Sequence, residues 1–364
     1  MKICVVMPRY AIAGVPLAQM RFARALADRG HAVDLLVGRI DPDHPMPDLP
    51  GVNVIRLRTP NVRAMLTPLW RYFRNARPEV VFSAEDHLTC AVLVAAIASG
   101  SKAKISGSSR VTPFDTYSSV TFSKRWLLKQ LMRAVMGRAE ALTCVSEDMV
   151  GQYREVFDRP RHVCVYNIVD DRHSRRRMQE AVDDEWLIDR TRPLVVAAGR
   201  LAHWKGFDDL IRAMKHVAPD RQVRLLILGD GELRGELGAL ARELRLGGSV
   251  RFAGHVDNPL KYFAHADVFA LSSHVEGLPN VLVEAMMCGC TPVSTDCPTG
   301  PREVLQDGKY GYLVPVRDPV ALARGIEAAL DRPTPGALLE EAIRPFEEET
   351  VIRRHFDVLG LGDA

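Results

Sequence analysis

The chain has no Cys-x-x-Cys pair, and its seven cysteines (Cys4, Cys90, Cys144, Cys164, Cys288, Cys290 and Cys297) are an odd number. Several lie in apolar runs such as KICVVM and LTCVSE, where a free thiol behaves as a small hydrophobe. A disulfide framework is therefore not expected, and a reduced, cytoplasmic setting is. Long apolar runs are also missing. The longest, TCAVLVAAIAS over residues 89–99, is too short to span a bilayer as a helix. The chain enters the strand-like KICVVMP directly, so a leader with a basic start and an apolar centre is not expected either. No Gly-Lys-Ser/Thr follows any glycine-rich turn, and no Gly-x-Gly-x-x-Gly stands near the N-terminus. That removes the P-loop and the nicotinamide or flavin fingerprint. Low-complexity tracts are absent, as is any close repeat between the two halves.

What is present reads as globular. The 364 residues are 47% hydrophobic and 26% charged, enough for two domains of ordinary size. A net charge of +3 hides an asymmetry: residues 1–170 carry 23 Lys/Arg against 15 Asp/Glu, and the remainder 25 against 30. Part of the basic excess lies in residues 56–77 and 124–138. The second segment, SKRWLLKQLMRAVMGR, sets cationic and apolar residues at helical spacing. It suits a helix on anionic lipid headgroups or facing an anionic acceptor; an ordinary solvated helix face is the plain alternative.

Short β-branched runs alternate with helical patterns along nearly the whole chain. Strands are predicted at 2–7, 32–37, 52–57, 80–83, 104–106, 141–145 and 163–166, then at 194–198, 223–228, 250–252, 268–271 and 291–294. Helices are predicted between most of them, among them 17–29, 88–98, 206–217, 232–245 and 280–288. Such alternation predicts an α/β fold, with parallel sheets covered on both faces. Residues 167–192 break the pattern with the charged string VDDRHSRRRMQEAVDDEW. The expected organisation is two Rossmann-like, doubly wound domains at 1–168 and 193–344, facing across a cleft. A linker at 169–192 joins them, and a final helix over 345–364 packs back toward the first domain. Ligands in such folds bind at the carboxyl ends of the strands.

The strongest signal is EGLPNVLVEAMMCGCTPVSTD. Glu276 precedes a helix that starts at Pro279 or Asn280, and Glu284 lies a turn inside it. Free N–H groups and the dipole at that start suit a diphosphate. Glu284 is placed to accept hydrogen bonds from ribose hydroxyls, and Glu276 from a transferred sugar. In GRLAHWKGF, Arg200 and Lys205 follow a buried-looking strand, where preorganised cations stabilise charge on a departing nucleoside diphosphate. The turn in LLILGDGELRGEL is weak evidence alone, since many α/β proteins turn this way.

These strings, with VRFAGHVDNP, CPTGPREVL and DGKYGYLVP, resemble in order and spacing the GT4 family of retaining glycosyltransferases. The match is tight over residues 194–316 and loose over the N-terminal half. It implies a GT-B fold and metal-independent transfer from a nucleotide-sugar, commonly a UDP-hexose or UDP-HexNAc, to a glycan or lipid-linked acceptor in cell-surface polysaccharide synthesis. The family's diphosphate-binding Arg and Lys fall on Arg200 and Lys205, and its motif glutamates on Glu276 and Glu284. The Gly-x-Pro turn falls on Gly277, Leu278, Pro279 and Asn280, and the base on Gly254, His255 and Val256. No cofactor, metal or nucleic acid is implied. Peripheral contact with the inner face of a membrane is expected from the basic first domain.

Two departures matter. Many relatives have paired glycines in the first loop, whereas Gly14 here stands between Ala13 and Val15. Many also place a histidine after the fifth strand, where this chain has Ser108, Ser109 and Arg110. His87, after the fourth strand, is the substitute candidate for contacting the donor sugar. Glu85 or Asp86, with Ser108 and Arg110, is expected near the acceptor. Asp41-Pro42-Asp43 has metal-binding spacing but lies in a proline-rich loop and reads as a solvated turn. Cys288-Gly-Cys290 reads as packing. Two other functions share these features, a nucleotide-sugar 2-epimerase of the same fold and a non-catalytic nucleotide-sugar-binding subunit.

Overall fold

The computed structural model describes residues 1–11, 14–41, 45–157, 162–217 and 221–362. The chain divides into two units: Met1–Ile168 together with the stretch from Glu348 onward, and Val169–Glu347. In the first unit, β1 (Lys2–Tyr10), β2 (Ala32–Ile40), β3 (Val52–Arg56), β4 (Val80–Ala84), β5 (Lys104–Ser109), β6 (Ala141–Cys144) and β7 (His162–Cys164) form one sheet. Its order is β3-β2-β1-β4-β5-β6-β7, with parallel pairing throughout. The order reverses between β1 and β4, where the loops at the carboxyl ends diverge and a crevice forms in open sheets. Apolar runs such as ICVVM in β1 are buried because helices cover both faces.

The final helix, Glu348–Val358, belongs to this unit's core. Val351, Ile352 and Phe356 are buried against Phe22, Phe82 and Val80. Arg29 clamps its first turn, donating to Glu348 and, at 2.9 Å, to Glu349 Oε2. His355 packs against the rings of Phe22 and Phe82 at 4.8 and 5.4 Å. Burial pulls its pKa down to about 3.

The second unit holds β8 (Leu194–Ala198), β9 (Arg224–Leu228), β10 (Val250–Gly254), β11 (Val268–Leu271), β12 (Thr291–Thr295) and β13 (Tyr312–Val314), a parallel sheet in the order β10-β9-β8-β11-β12-β13. Its switch point lies between β8 and β11. β13 was not among the predicted strands. It has three residues, too few to show alternation, and it follows Gly311, which packs on Pro292 where a Cβ would come within 2.5 Å.

Residues 169–192, expected as a linker, instead carry the helices Arg172–Arg177 and Glu185–Ile188 and group with the second unit. Charges and one indole hold the stretch, which is why no apolar period appears. Arg251 donates to both Asp184 carboxylate oxygens at 2.5 Å, and the Arg251 and Arg224 guanidinium groups lie over the Trp186 ring at 4.5 and 5.5 Å. Asn258 donates to the Arg177 carbonyl and to Glu180, each at 2.8 Å. Where the chain enters this unit it meets the segment about to leave it, through a 2.9 Å bond from the Val169 N–H to the Phe346 carbonyl. Among the described residues, no helix is long and apolar enough to cross a membrane.

Candidate functional site

In the second unit, the chain leaving β8 passes Arg200 and makes a single tight turn over His203–Lys205. The turn closes at Gly206, whose φ is +59°. A Cβ there would run into the Ser272 carbonyl and stand 2.9 Å from His274 Nε2, so glycine lets this turn lie directly on the segment leaving β11. Three bonds lock the two together. The Ser272 hydroxyl donates to the Lys205 carbonyl at 2.9 Å, the His274 N–H to the Trp204 carbonyl at 2.8 Å, and the His274 ring to Asp209 at 2.8 Å.

This scaffold aims Lys205 Nζ at Glu276 Oε1, 2.6 Å away, with only 19% and 11% of the two side chains exposed. The Ser273 hydroxyl donates to the same oxygen at 2.6 Å, and the Thr299 hydroxyl to the Glu276 carbonyl. Both contacts at the carboxylate fall on Oε1. After Glu276 the turn through Gly277, Leu278 and Pro279 packs on Gly300 (φ +89°), where a Cβ would stand 2.6 Å from the Gly277 carbonyl and from Pro279 Cδ. It leads into the helix Asn280–Met287, whose start has no side-chain cap. The Asn280 N–H bonds the Leu278 carbonyl at 2.9 Å, and Glu284 is half-buried one turn on.

Arg200 is 67% exposed, and its Nε donates to Glu232 Oε2 at 3.2 Å. The glycines of the Gly229-Asp230-Gly231 turn have a packing reason. A Cβ at Gly229 would strike the Gly199 backbone and one at Gly231 would meet the Leu201 carbonyl at 2.5 Å, so this turn lies against the one carrying Arg200. Gly254 ends β10 at φ +74° with open space around its Cβ position, followed by exposed His255 and half-buried Val256. Arg200, Lys205, Gly254, Glu276 and the Asn280 helix thus share the carboxyl end of one sheet.

In the first unit the candidates separate. His87 is exposed in the first turn of the helix Asp86–Ser99. Glu85 precedes it at φ +76°, a strained conformation for a non-glycine residue, and its N–H bonds the Ser108 carbonyl at 2.9 Å. Burial raises the Glu85 pKa, partly opposed by Arg110. Asp86 requires correction as an acceptor-side residue. It is 6% exposed, and its oxygens accept from Ser109 Oγ and the Tyr153 hydroxyl, each at 2.5 Å. Burial pushes its pKa up against these bonds. It is a structural tie between β5 and the helix Glu147–Val156. Ser108 is corrected likewise, because it is buried and reaches only a small internal cavity.

Arg110 is half-buried and turned toward Asn167, whose side-chain oxygen accepts from Nη1. Burial lowers the pKa of its guanidinium to about 10, and Glu85 acts against that fall. Beside it lies a cavity of about 20 Å³, lined by Gln19, Ser106, Ser108 and His355. Gly14 opens the helix Gly14–Asp28 with nothing within 4 Å of its Cβ position, so neither conformation nor crowding demands glycine there. Ala13, Pro42 and Asp43 lie outside the described residues, and Asp41 pairs with Arg9. Among the described residues, no group of three or more His, Cys, Asp and Glu is placed to hold a metal ion. Sequence reasoning missed Ser273, Thr299 and Gly206 as the parts that hold the Lys205–Glu276 pair. The Ser272-Ser273 doublet just before Glu276 was the one available signal.

Two family models match the chain: "Glycosyl transferase 4-like domain" over residues 13–167 and "Glycosyl transferases group 1" over 178–344. A Campylobacter jejuni N-acetylgalactosamine-N,N'-diacetylbacillosaminyl-diphospho-undecaprenol 4-alpha-N-acetylgalactosaminyltransferase is 38% identical over 153 residues, which cover 42% of this chain and 40% of that protein. The amylovoran biosynthesis glycosyltransferase AmsD of Erwinia amylovora is 28% identical over 72% of this chain and 73% of its own length. Several of the strongest curated matches span only about a third to two fifths of the relatives' length. Among solved structures, Anabaena HepE in complex with UDP and glucose superposes with a TM-score of 0.74 at 19% identity, covering 99% of both chains. The chain belongs to the GT4 family of glycosyltransferases and has the GT-B fold.

Proposed function

We propose that this protein transfers a sugar from a UDP-activated hexose or N-acetylhexosamine to a glycan or lipid-linked acceptor, retaining anomeric configuration and using no metal ion. The observation that carries the reading is the Lys205–Glu276 pair, 2.6 Å apart and braced by Ser273 and Thr299 beside an uncapped helix start. In this reading the diphosphate lies against Lys205, Arg200 and the N-terminus of the Asn280 helix, where positive charge is already in place. Arg200 leaves Glu232 to reach it. Glu276 Oε2, which neither Lys205 nor Ser273 engages, accepts from a sugar hydroxyl, and Glu284 accepts from the ribose. The base rests near Gly254, His255 and Val256. His87, Glu85 and Arg110 serve the donor sugar and acceptor from the first unit, and the open space at Gly14 admits phosphate.

The bond from the anomeric carbon to the diphosphate oxygen breaks, and its electron pair leaves on the diphosphate. The acceptor oxygen bonds to the anomeric carbon from the same face, and its proton passes to the departing phosphate oxygen. Sugar transfer is favoured by the likeness to the glycosyltransferase AmsD and the C. jejuni N-acetylgalactosaminyltransferase, and a uridine nucleotide by the UDP bound in HepE. The setting that suits this work is the cytoplasmic face of a membrane. The test is the product's anomeric configuration by NMR after transfer from an α-linked UDP-sugar. An α-linked product formed in the presence of EDTA supports the reading. A β-linked product, or a requirement for added metal, contradicts it.

A further inference from the structure

The segment that leaves β5 toward the helix Lys124–Val135 displays apolar side chains to solvent where a folded chain normally hides them. Phe122 is 81% exposed at φ +62°, a backbone state that a bulky residue rarely adopts. Val120, Leu127 and Leu131 are exposed beside it, and Leu127 and Leu131 share one face of the helix at i, i+4 spacing. This is not a fraying loop. Ser123 caps the helix at the Trp126 N–H, 3.1 Å away, and Trp126 packs on Phe122 with ring centroids 5.4 Å apart. Arg125 ties the helix back to the carbonyls of Phe114 and Tyr117, and the Tyr117 ring packs edge-on to Phe157 at 5.1 Å. The apolar display is built in.

Cations are interleaved with it. Residues 111–135 contain Lys124, Arg125, Lys129 and Arg133 against a single acid, Asp115. Exposed Phe, Leu and Val among Lys and Arg, on a helix lying flat on its unit, match the chemistry of an anionic lipid surface. Rings and aliphatic chains enter the acyl boundary while ammonium and guanidinium groups meet the phosphates. The location has a purpose as well. The first exposed apolar residue, Val111, follows Arg110 directly, so the patch starts at the carboxyl end of the sheet that carries Glu85, His87 and Arg110.

We infer that the surface formed by Val120, Phe122, Leu127 and Leu131 with Lys124, which shares their helix face, docks this protein on an anionic bilayer. That sets the acceptor end of the first unit against the headgroups, a purpose that rests on the glycosyltransferase reading, although the docking itself does not. The experiment is co-sedimentation of the full chain with phosphatidylcholine vesicles with and without phosphatidylglycerol, at low and high salt. A UDP-sugar thermal shift and sedimentation velocity are run on the same samples. Wild type is expected to pellet with the anionic vesicles and to be released by salt. Phe122→Ser/Leu127→Ser and Lys124→Glu are each expected to weaken binding about tenfold or more, with unchanged melting temperature and donor shift. Equal binding to both vesicle types, or full binding by the Phe122→Ser/Leu127→Ser variant, overturns the inference. So does a wild-type dimer that this variant abolishes, because a second copy then covers the patch. Vesicle binding as expected without any donor shift leaves the docking surface standing and removes the proposed UDP-sugar donor.

Discussion

Gly206 holds φ +59° with the Ser272 carbonyl occupying the space of its missing Cβ, so the direction of Lys205 depends on a residue that carries no chemistry. Gly206→Ala is expected to cost about 1–3 kcal/mol from backbone strain alone and to abolish the donor-induced thermal shift, as read by chemical denaturation and melting curves. Asp86 and His87 are adjacent in sequence and opposite in consequence. Asp86→Asn brings an amide toward two hydroxyls that now donate to it, and should cost about 1–3 kcal/mol of stability. His87→Ala should stay within about 0.5 kcal/mol in stability while lowering turnover, which separates a structural tie from a ligand contact. The string EDH does not say which side chain points inward, because that depends on how β5 and Tyr153 approach it. The pairing of Lys205 with Glu276, by contrast, was half legible: motif order named both residues. Ser273 and Thr299 became visible only when β11 and β12 were placed side by side.

Burial lowers the pKa of His355 from 6.5 to about 3 and that of His162 to about 4. Both depressed values mean stability that is present above pH 6.5 and lost as pH falls, because only the unfolded chain takes up the proton. Each histidine should cost about 1.4 kcal/mol per pH unit below 6.5, until its folded pKa is reached. His355→Phe should therefore flatten the fall in melting temperature between about pH 6 and 4 relative to wild type. A variant whose pH profile parallels wild type would contradict the assignment.

At the scale of elements, the alternation of β-branched runs with helical patterns was enough to locate twelve of the thirteen strands among the described residues, because buried parallel strands write continuous apolar runs. β13 escaped because three residues carry no period. Residues 169–192 looked like a linker because their helices are held by Arg–Asp pairs and Trp186, contacts that leave no apolar stripe to read. The final helix shows the other side of the same point. Phe356 is buried against the first unit's core, some two hundred residues away in sequence from that unit's last strand. Phe356→Ala is expected to destabilise that unit by about 3–5 kcal/mol and leave the second unit's amide exchange unchanged. Hydrogen exchange followed by mass spectrometry resolves the two.

Over the whole molecule, charge and chemistry divide between the two units. The basic first unit carries the exposed apolar and cationic patch, and the second carries Arg200, Lys205, Glu276 and the uncapped helix start. A nucleotide-sugar brought to the second unit would meet positive charge already positioned, the main source of catalytic stabilisation where no covalent intermediate forms. The account rests on that binding event. Calorimetric titration of the full chain with UDP-glucose and UDP-N-acetylglucosamine, repeated for Lys205→Met and Glu276→Gln, tests it most directly. Metal-independent binding to wild type is expected, weakened at least about tenfold by Lys205→Met through loss of a charge-assisted contact, with UDP itself following the same order. Wild-type affinity retained by both folded variants would place the donor elsewhere and contradict the account.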